Sequence, residues 1–369
     1  MAQVIKPTSR DQFHIAIICA LPREADAVML LFDEFWDEDS DPFGRANGDT
    51  NTYNTGRIGK HNVVLAILPG MGTNNAASAT ASLRSSYSNL KLALLVGICG
   101  GVPRIADEDV FLGDVVVSKA IVQYDFGRQY PGGFEIKNTI EDSLGRANKD
   151  IRGLLAVFET EHMRDWLSTK SADYLKQLQE AAKRKRRRAK YQNPGAIQNK
   201  LFLRDYIHQH QLEQCETCNL GCDETQLVQR DVSFLDNGVF NIFIGRIGSG
   251  NTVMKSGKDR DRIAAQHNLI AFEMEGAGAW DEVPCLVVKG VCDYADSHKN
   301  KQWQDFAAAT GACVMKAILA RYVVAEGAQG SALTQTNGQS VQNNTRSISG
   351  NTFGNNVNIS QGDMTWNMK

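Results

Sequence analysis

Short runs of Val, Ile and Leu, each closed by Gly, Pro or a polar residue, recur along this chain with helix-like segments between them. They read FHIAIICAL, HNVVLAILPG, LALLVGICGG, GDVVVSKAIV, VFNIFIGRIG and PCLVVKGVC. Runs of this length and branching predict strands buried on both faces. TNNAASATASLRSSYSNL and an amphipathic stretch from Trp303 to Val323 predict helices. Strand and helix in alternation dictate an α/β layered fold, and such folds bind ligands beyond the carboxyl ends of their strands.

The alternation stops near Glu141 and resumes near Val232. The interval holds a polar, helix-prone segment, STKSADYLKQLQEAAKRKRRRAKY, and then YIHQHQLEQCETCNLGC. Residues 141–232 therefore predict a helical insertion in a domain spanning 12–325. From 326 to 369 the chain is rich in Asn, Gln, Ser and Gly and poor in aliphatics. Such a segment buries too little apolar surface to offset its ordering entropy, which predicts a disordered tail.

With 42% hydrophobic residues, 22% charged residues and a net charge of -2, composition points to neither nucleic acid nor membrane. No window approaches the roughly 18 unbroken apolar residues of a membrane-spanning helix. The segment MAQVIKPTSRDQFH lacks the apolar core of a signal peptide. Cys19, Cys99, Cys285, Cys292 and Cys313 sit in apolar runs, where a free thiol packs as a small hydrophobe. These features predict an intracellular protein, cytoplasmic or, given KRKRRRAK, nuclear.

Residues able to do chemistry gather at the predicted strand ends. CALPREADAV puts Glu24 just after a strand, at a helix start. PGMGTNNAA supplies Gly72, Thr73 and Asn74, where backbone N–H groups at a helix start can meet an oxyanion. VGICGGV is a tight turn whose Gly100 and Gly101 let a ligand approach the backbone. AFEMEGAGAW places Glu273 and Glu275 around Met274, and GVCDYADSHKN places Asp293 and Asp296 past a buried run. Buried carboxylates are costly without a partner, so a ligand or a local cation has to be using them.

Taken in order, these segments resemble the nucleoside phosphorylase and nucleosidase superfamily, most closely its methylthioadenosine/S-adenosylhomocysteine nucleosidase-like branch. The resemblance covers about residues 12–135 and 236–325. It consists of an opening strand with a Glu, a glycine pair, a GxxGG turn, an SGN segment close to the family's SGD, a MEG motif and a strand-terminal Asp. Each motif is weak alone, but the ordered set is specific. The resemblance implies a three-layer α/β/α sandwich with a central mixed sheet, and cleavage of an N-glycosidic bond. It assigns Met274 and Glu275 to the ribose, Asp293 to N7 of a purine, Glu24 to activation of water, and Gly100, Gly101 and Val253 to the base pocket. Breaking that bond builds positive charge on the sugar and negative charge on the departing base. An acid at N7 relieves the second, and a carboxylate-held sugar with an oriented water meets the first. Asp293 then has to carry a proton before turnover, which partial desolvation favours.

Simpler roles exist for the same residues. Glu24 or Glu275 alone reads as a solvated carboxylate favoured by a helix N-terminus, and Asp296 and Ser297 read as capping residues. GRIGSGNT has P-loop spacing, but Asn251 stands where that motif requires Lys, so it is no Walker motif. Cys215 and Cys218 form one Cys-x-x-Cys pair compatible with zinc, with no second pair nearby. No other cofactor is expected, apart from magnesium accompanying a nucleotide.

Glu24 favours hydrolysis over phosphorolysis, and Asp293 favours a purine. Arg23, Arg128 and Lys255 flank the site segments, followed by Lys258, Arg260, Arg262 and the basic run 183–190. A triphosphate needs several such charges. The chain therefore also resembles the ATP-cleaving nucleosidase effectors of immune systems, with Gly72, Thr73, Asn74, Arg128, Lys255 and Arg23 as phosphate candidates. The KRKRRR run reads equally as a solvated helix face, and without interleaved aromatics it makes no nucleic-acid site. SGNTFGNNVNISQGD resembles segments beside such domains in fungal NLR-type immune proteins, which makes 345–369 a candidate signalling motif for an NLR-type partner. The family resemblance also implies a homo-oligomer. Three functions compete: a purine N-glycosidase with ATP or dATP first, a methylthioadenosine-type nucleosidase or phosphorylase, and a catalytically silent ligand-sensing or oligomerisation module.

Overall fold

The computed structural model describes residues 6–37, 40–137, 139, 141–189, 191–208, 222–232, 240–299 and 301–324. The chain divides into two units, Met1–Val324 and Ala325–Lys369. The second unit, including 345–369, lies outside the described residues, as do Cys215 and Cys218.

The first unit opens with β1 (Ile15–Cys19), α1 (Pro22–Met29), β2 (Glu34–Phe35), β3 (Tyr53–Ile58), β4 (His61–Ile67), α2 (Thr73–Ser86) and β5 (Leu92–Gly101). A small hairpin, β6 (Arg104–Ile105) and β7 (Glu108–Asp109), precedes β8 (Val115–Gln123), and a second, β9 (Gly127–Tyr130) and β10 (Gly133–Ile136), follows it. Helices α3 (Lys149–Phe158) and α4 (Glu161–Arg184) come next. The chain then returns through β11 (Ile242–Ser249), α5 (Gly257–His267), β12 (Leu269–Glu273), α6 (Gly276–Trp280), β13 (Cys285–Asp293) and α7 (Gln304–Arg321).

Nine strands make one mixed sheet in the order β12-β11-β8-β13-β5-β1-β4-β3-β2. The apolar runs of β1, β5 and β13 are buried almost throughout because helices cover the sheet. α7 lies on β5 and β13, α1 and α4 pack against α7, and α2 packs against α6. Residues 306–319 of α7 are all buried. The helix is thus enclosed rather than amphipathic as its sequence suggests, because α4 supplies a cover for its outer side. Its one charged residue in that stretch, Lys316, donates to the Leu31 carbonyl at 2.8 Å and to Asp33 at 2.9 Å.

The helices between Glu141 and Val232 share the main core. Leu155 and Phe158 of α3 and Leu167, Leu175 and Leu178 of α4 join the same apolar cluster as the sheet, each contributing about 1.5–3 kcal/mol. Beyond α4, Arg230 donates to the Tyr294 hydroxyl at 2.7 Å, and that hydroxyl donates to Asn199 at 2.6 Å. This interval therefore reaches the residue that follows Asp293.

Besides the two-residue β2, two strands of the nine-stranded sheet escape the sequence pattern. β3 is polar and half-buried, and β12 is a five-residue strand directly after α5. The second matters most. β12 runs parallel to β11, then pairs antiparallel with the end of β5, Phe272 opposite Gly100 and Ala271 opposite Gly101. Strands β5, β12, β11, β8 and β13 so close a ring. Along one edge β5 meets β1 over residues 92–95 and β12 at 100–101. The sheet forks between them, and a fork at strand ends is where a ligand crevice forms.

Candidate active site

Glu24 is drawn into this fork. Its Oε2 accepts from the Ala20 and Leu21 N–H groups at 2.8 and 2.9 Å, and its Oε1 from Ile98 N–H at 2.8 Å. The Ile98 donor is one that neither β1 nor β12 pairs, so the carboxylate completes the sheet's own hydrogen bonding. At 2% exposure Glu24 is no solvated first-turn residue. Gly97 makes the room, since a Cβ there would overlap the Glu24 carboxylate. Burial lifts Glu24 above its ordinary value, against the opposing pull of Lys289 and of the Ile98 and Leu21 N–H groups.

The two carboxylates around Met274 turn out to use a local cation. Lys289 of β13, fully buried, donates to Glu275 Oε2 at 3.0 Å and lies 3.9 Å from Glu273 Oε2. Glu273 also accepts from the Glu275 N–H at 3.0 Å and the Gly276 N–H at 2.9 Å, fastening the start of α6. Burial alone would push Lys289 down, but Glu275, Glu24 and Glu273 together hold it well above its ordinary value. Burial lifts Glu273 too, with Lys289 opposing. One ammonium therefore serves three carboxyl groups, and Glu24 and Glu273 are poised to take up a proton.

Asp293 closes β13. Its Oδ1 accepts from Ala295 N–H at 2.9 Å and lies 2.8 Å from Lys299 Nζ. Gly100 faces it so closely that a Cβ there would come within 2.9 Å of Asp293 Oδ1. Asp296 caps the His298 N–H at 2.9 Å, and Ser297 accepts from His208 N–H at 3.0 Å, both loop roles.

Glu24, Glu273, Met274, Glu275, Gly100, Val253, Asp293 and Lys299 line one cavity of about 240 Å³. Larger hollows beside Phe202, about 690 Å³, and beside Lys183, about 560 Å³, contain none of these carboxylates. Gly101 lies behind the cavity, paired with Ala271.

The expected phosphate contacts do not converge here. Asn251, from the false P-loop, accepts from Thr73 N–H at 2.9 Å and is itself held by Asp125. The start of α2, with Gly72, Thr73 and Asn74, is thus capped from within the chain and stays out of the cavity lining. Arg23 pairs with Asp305 at 2.9 Å. Arg128 is exposed on the β9–β10 ribbon, and Lys255 is exposed one residue past Met254. Arg260 is buried and structural, bonding the Tyr294 carbonyl at 2.8 Å and pairing with Asp261.

Sequence reasoning passed over Lys289 and Lys299. Lys289 had a signal, a lone lysine inside the apolar run PCLVVKGVC, where an unpaired charge is not tolerated. Lys299 had none, because only the loop geometry returns it to Asp293.

The phosphorylase superfamily model matches residues 14–324. The chain belongs to the phosphorylase superfamily. One relative, a nucleotide-binding leucine-rich repeat (NLR)-like protein of Hyaloscypha variabilis, is 34% identical over 84% of this chain. The chain spans only 29% of that relative's length. A 5'-methylthioadenosine/S-adenosylhomocysteine nucleosidase of Mycobacterium bovis is 29% identical over 31% of this chain and 39% of its own length. Among solved structures, the S-adenosylhomocysteine nucleosidase of Streptococcus pyogenes superposes with a TM-score of 0.52 at 18% identity, covering 85% of this chain and 98% of that one. The futalosine hydrolase of Helicobacter pylori gives 0.51 at 17% identity, covering 84% and 99%. These likenesses establish the fold of this superfamily member, an α/β architecture around a mixed sheet.

A first expectation follows from Gly97. Gly97→Ala should displace the Glu24 carboxylate from its three donors and lower turnover about 10²-fold, the cost of roughly 1 Å of misplacement. A thermal melt beside the rate measurement checks that the fold survives. Unchanged turnover in a folded variant would show that Glu24 need not sit where the fork holds it.

Proposed function

We propose that this domain hydrolyses the N-glycosidic bond of a purine nucleoside or nucleotide, with ATP or dATP the foremost substrates. The products are adenine and the corresponding (deoxy)ribose triphosphate. One observation carries the proposal: Glu24, Glu275 and Asp293, far apart in sequence, line a single cavity with Met274. Met274 packs on the sugar, and Glu275, oriented by Lys289, accepts from its hydroxyls. Glu24, lifted by burial above the ordinary glutamate value, is a stronger base than an exposed glutamate and takes the proton of the attacking water. Asp293 meets the departing base. The bond from Thr73 N–H, the first of the α2 start, to Asn251 supports water rather than phosphate as nucleophile, because it takes up one of the N–H groups that would greet an anion.

The ATP assignment is supported by charge near the cavity. Lys299 lines the cavity and Lys255 follows the lining residue Met254, while Arg23 is taken up by Asp305. The likeness to an NLR-like protein supports an immune or cell-death setting, with a homo-oligomer and an NLR-type partner reached through 345–369 as parts of the same proposal. A methylthioadenosine-type substrate is the second reading, favoured by apolar Leu21, Met71 and Val253 in the lining.

The test is a base-release assay on ATP, dATP, AMP, adenosine, methylthioadenosine, inosine and GTP, with and without phosphate. Adenine from ATP or dATP without phosphate is the expected result. Release from uncharged nucleosides alone would replace ATP with the second reading. A requirement for phosphate would make the enzyme a phosphorylase, and no release from any substrate would leave the ligand-sensing module.

A further inference from the structure

Lys299 is, among the described residues, the one lysine or arginine in the cavity lining. Its Nζ lies 2.8 Å from Asp293 Oδ1, with the two side chains 23% and 11% exposed. The pair is largely enclosed, and nothing in a purely structural role requires that its ammonium face a cavity. The loop 293–299 nevertheless holds it there. His298 stacks against Phe202 and Tyr206, with ring centroids 4.1 and 5.0 Å away. At the loop's start Tyr294 is tied by its hydroxyl to Asn199 and by its carbonyl to Arg260. Residues 199–206, with Arg260 of α5, thus hold both ends of the loop that folds Lys299 back onto Asp293.

The chemistry at this end of the cavity lacks one thing, a dependable proton. A purine leaves with the electron pair of the broken bond, while an ordinary carboxylic acid has lost its proton above about pH 4. A lysine ammonium keeps its proton far beyond neutral pH. Resting on the nucleosidase function proposed above, we propose that Lys299 is a catalytic residue that forms with Asp293 a paired acid for the departing base. The C1′–N bond breaks and its electron pair goes to the base. A ring nitrogen of the base takes a proton that the Lys299 ammonium passes through the Asp293 carboxylate, leaving that carboxylate as it began and a neutral amine on Lys299. The oxygen of water bonds to C1′, and its proton passes to Glu24. Solvent then protonates Lys299 and removes the proton from Glu24, so each turnover consumes one water and no net proton is stored.

The neighbours of the pair leave it this role. The Cys292 thiol of β13 and the Cys99 thiol of β5 are pushed up by burial and stay neutral. Burial pushes His298 down to about 4, with His208 adding to it, so it is uncharged at neutral pH. Asp296 in the loop is lifted by burial, with the His298 N–H and Arg260 of α5 opposing. Glu273 of β12 is lifted by burial as well. Burial pushes Lys299 down, yet Asp293 outweighs it and leaves the ammonium above its ordinary value. The acid works in its protonated form, so activity is present below the value at which the pair gives up its proton and is lost above it.

The deciding experiment compares wild type with Lys299→Met and Lys299→Gln on two substrates. One is the purine substrate that the wild type cleaves; the other is p-nitrophenyl β-D-riboside, whose leaving group departs without a proton. The expected result is a loss of roughly 10²-fold on the purine at neutral pH, with the surviving activity moved to acid pH, and little change on the p-nitrophenyl riboside. Equal losses on both substrates, or an unchanged purine rate and pH profile, would overturn the role of Lys299. A wild type that cleaves the p-nitrophenyl riboside but no purine would instead overturn the purine assignment on which the role rests. Turnover of the p-nitrophenyl riboside by either variant also shows that it has folded.

Discussion

Lys289→Met is expected to cost the domain about 3–5 kcal/mol, the usual penalty for removing one partner of a buried charge pair. The substitution preserves volume and deletes only the ammonium that Glu275 holds at 3.0 Å and that Glu24 and Glu273 also feel. The one lysine or arginine in the cavity lining among the described residues, Lys299, is paired with Asp293, so the carboxyl groups are left facing one another. The pH dependence then follows from direction alone. In the variant, carboxyls whose values are raised by burial contribute stability below about 4.3, their unfolded value, and lose it as pH rises through the folded values. In the wild type, the raised lysine contributes stability that is fully present below about 10.4 and lost only above it. Denaturant melts at pH 5 and pH 8, offered here as rough bracketing values, should therefore separate more widely for the variant than for the wild type. A variant as stable as the wild type at both would mean that the three carboxyls do not depend on Lys289.

Glu24→Gln is expected to lower turnover by about 10²–10⁴-fold, the range for loss of a positioned base, with little change in KM. The amide is nearly the same size and can still accept from Ala20 and Leu21, but its NH2 then faces the Ile98 N–H that now donates to Oε1. That mismatch adds a stability cost of about 1–3 kcal/mol. The pH profile identifies the mechanism. A base acts when ionised, so wild-type activity should be absent at low pH and rise as pH passes through the value that burial has lifted. Residual activity in the variant should lack that acid limb. If the acid limb stayed in place, another group would have to be the base.

Much of this architecture is written in the sequence, and the missing parts share a cause. Continuous apolar runs announced β1, β4, β5, β8, β11 and β13, because strands covered on both faces need apolar residues at every position. The ordered carboxylates pointed to one place: Glu24 stands in the first turn of α1, Glu275 just before α6 and Asp293 at the end of β13, and one cavity lining holds all three. The ring closure stayed hidden, since the β12–β5 pairing rests on two residues of each strand and leaves no periodicity. Likewise the α2 start looked open for an anion, because its cap comes from Asn251, 178 residues away. Lys289 and Lys299 went unassigned for the same reason: a cation's role depends on which carboxylate lies across from it. The phosphate candidates were chosen by sequence adjacency, and adjacency left Arg23 paired with Asp305 and Arg128 on an exposed ribbon.

The closed ring also limits how copies of this domain could meet. Because β12 turns back onto β5, the nine-stranded sheet ends, among the described residues, in one outer strand, the two-residue β2, whose Glu34 is engaged by Arg57 at 3.1 Å. Strand-by-strand addition needs a long row of unpaired backbone groups, and this sheet offers almost none. Strand addition to the nine-stranded sheet is therefore closed off, and any contact between copies of residues 14–324 would fall to helices, loops or the exposed β9–β10 ribbon.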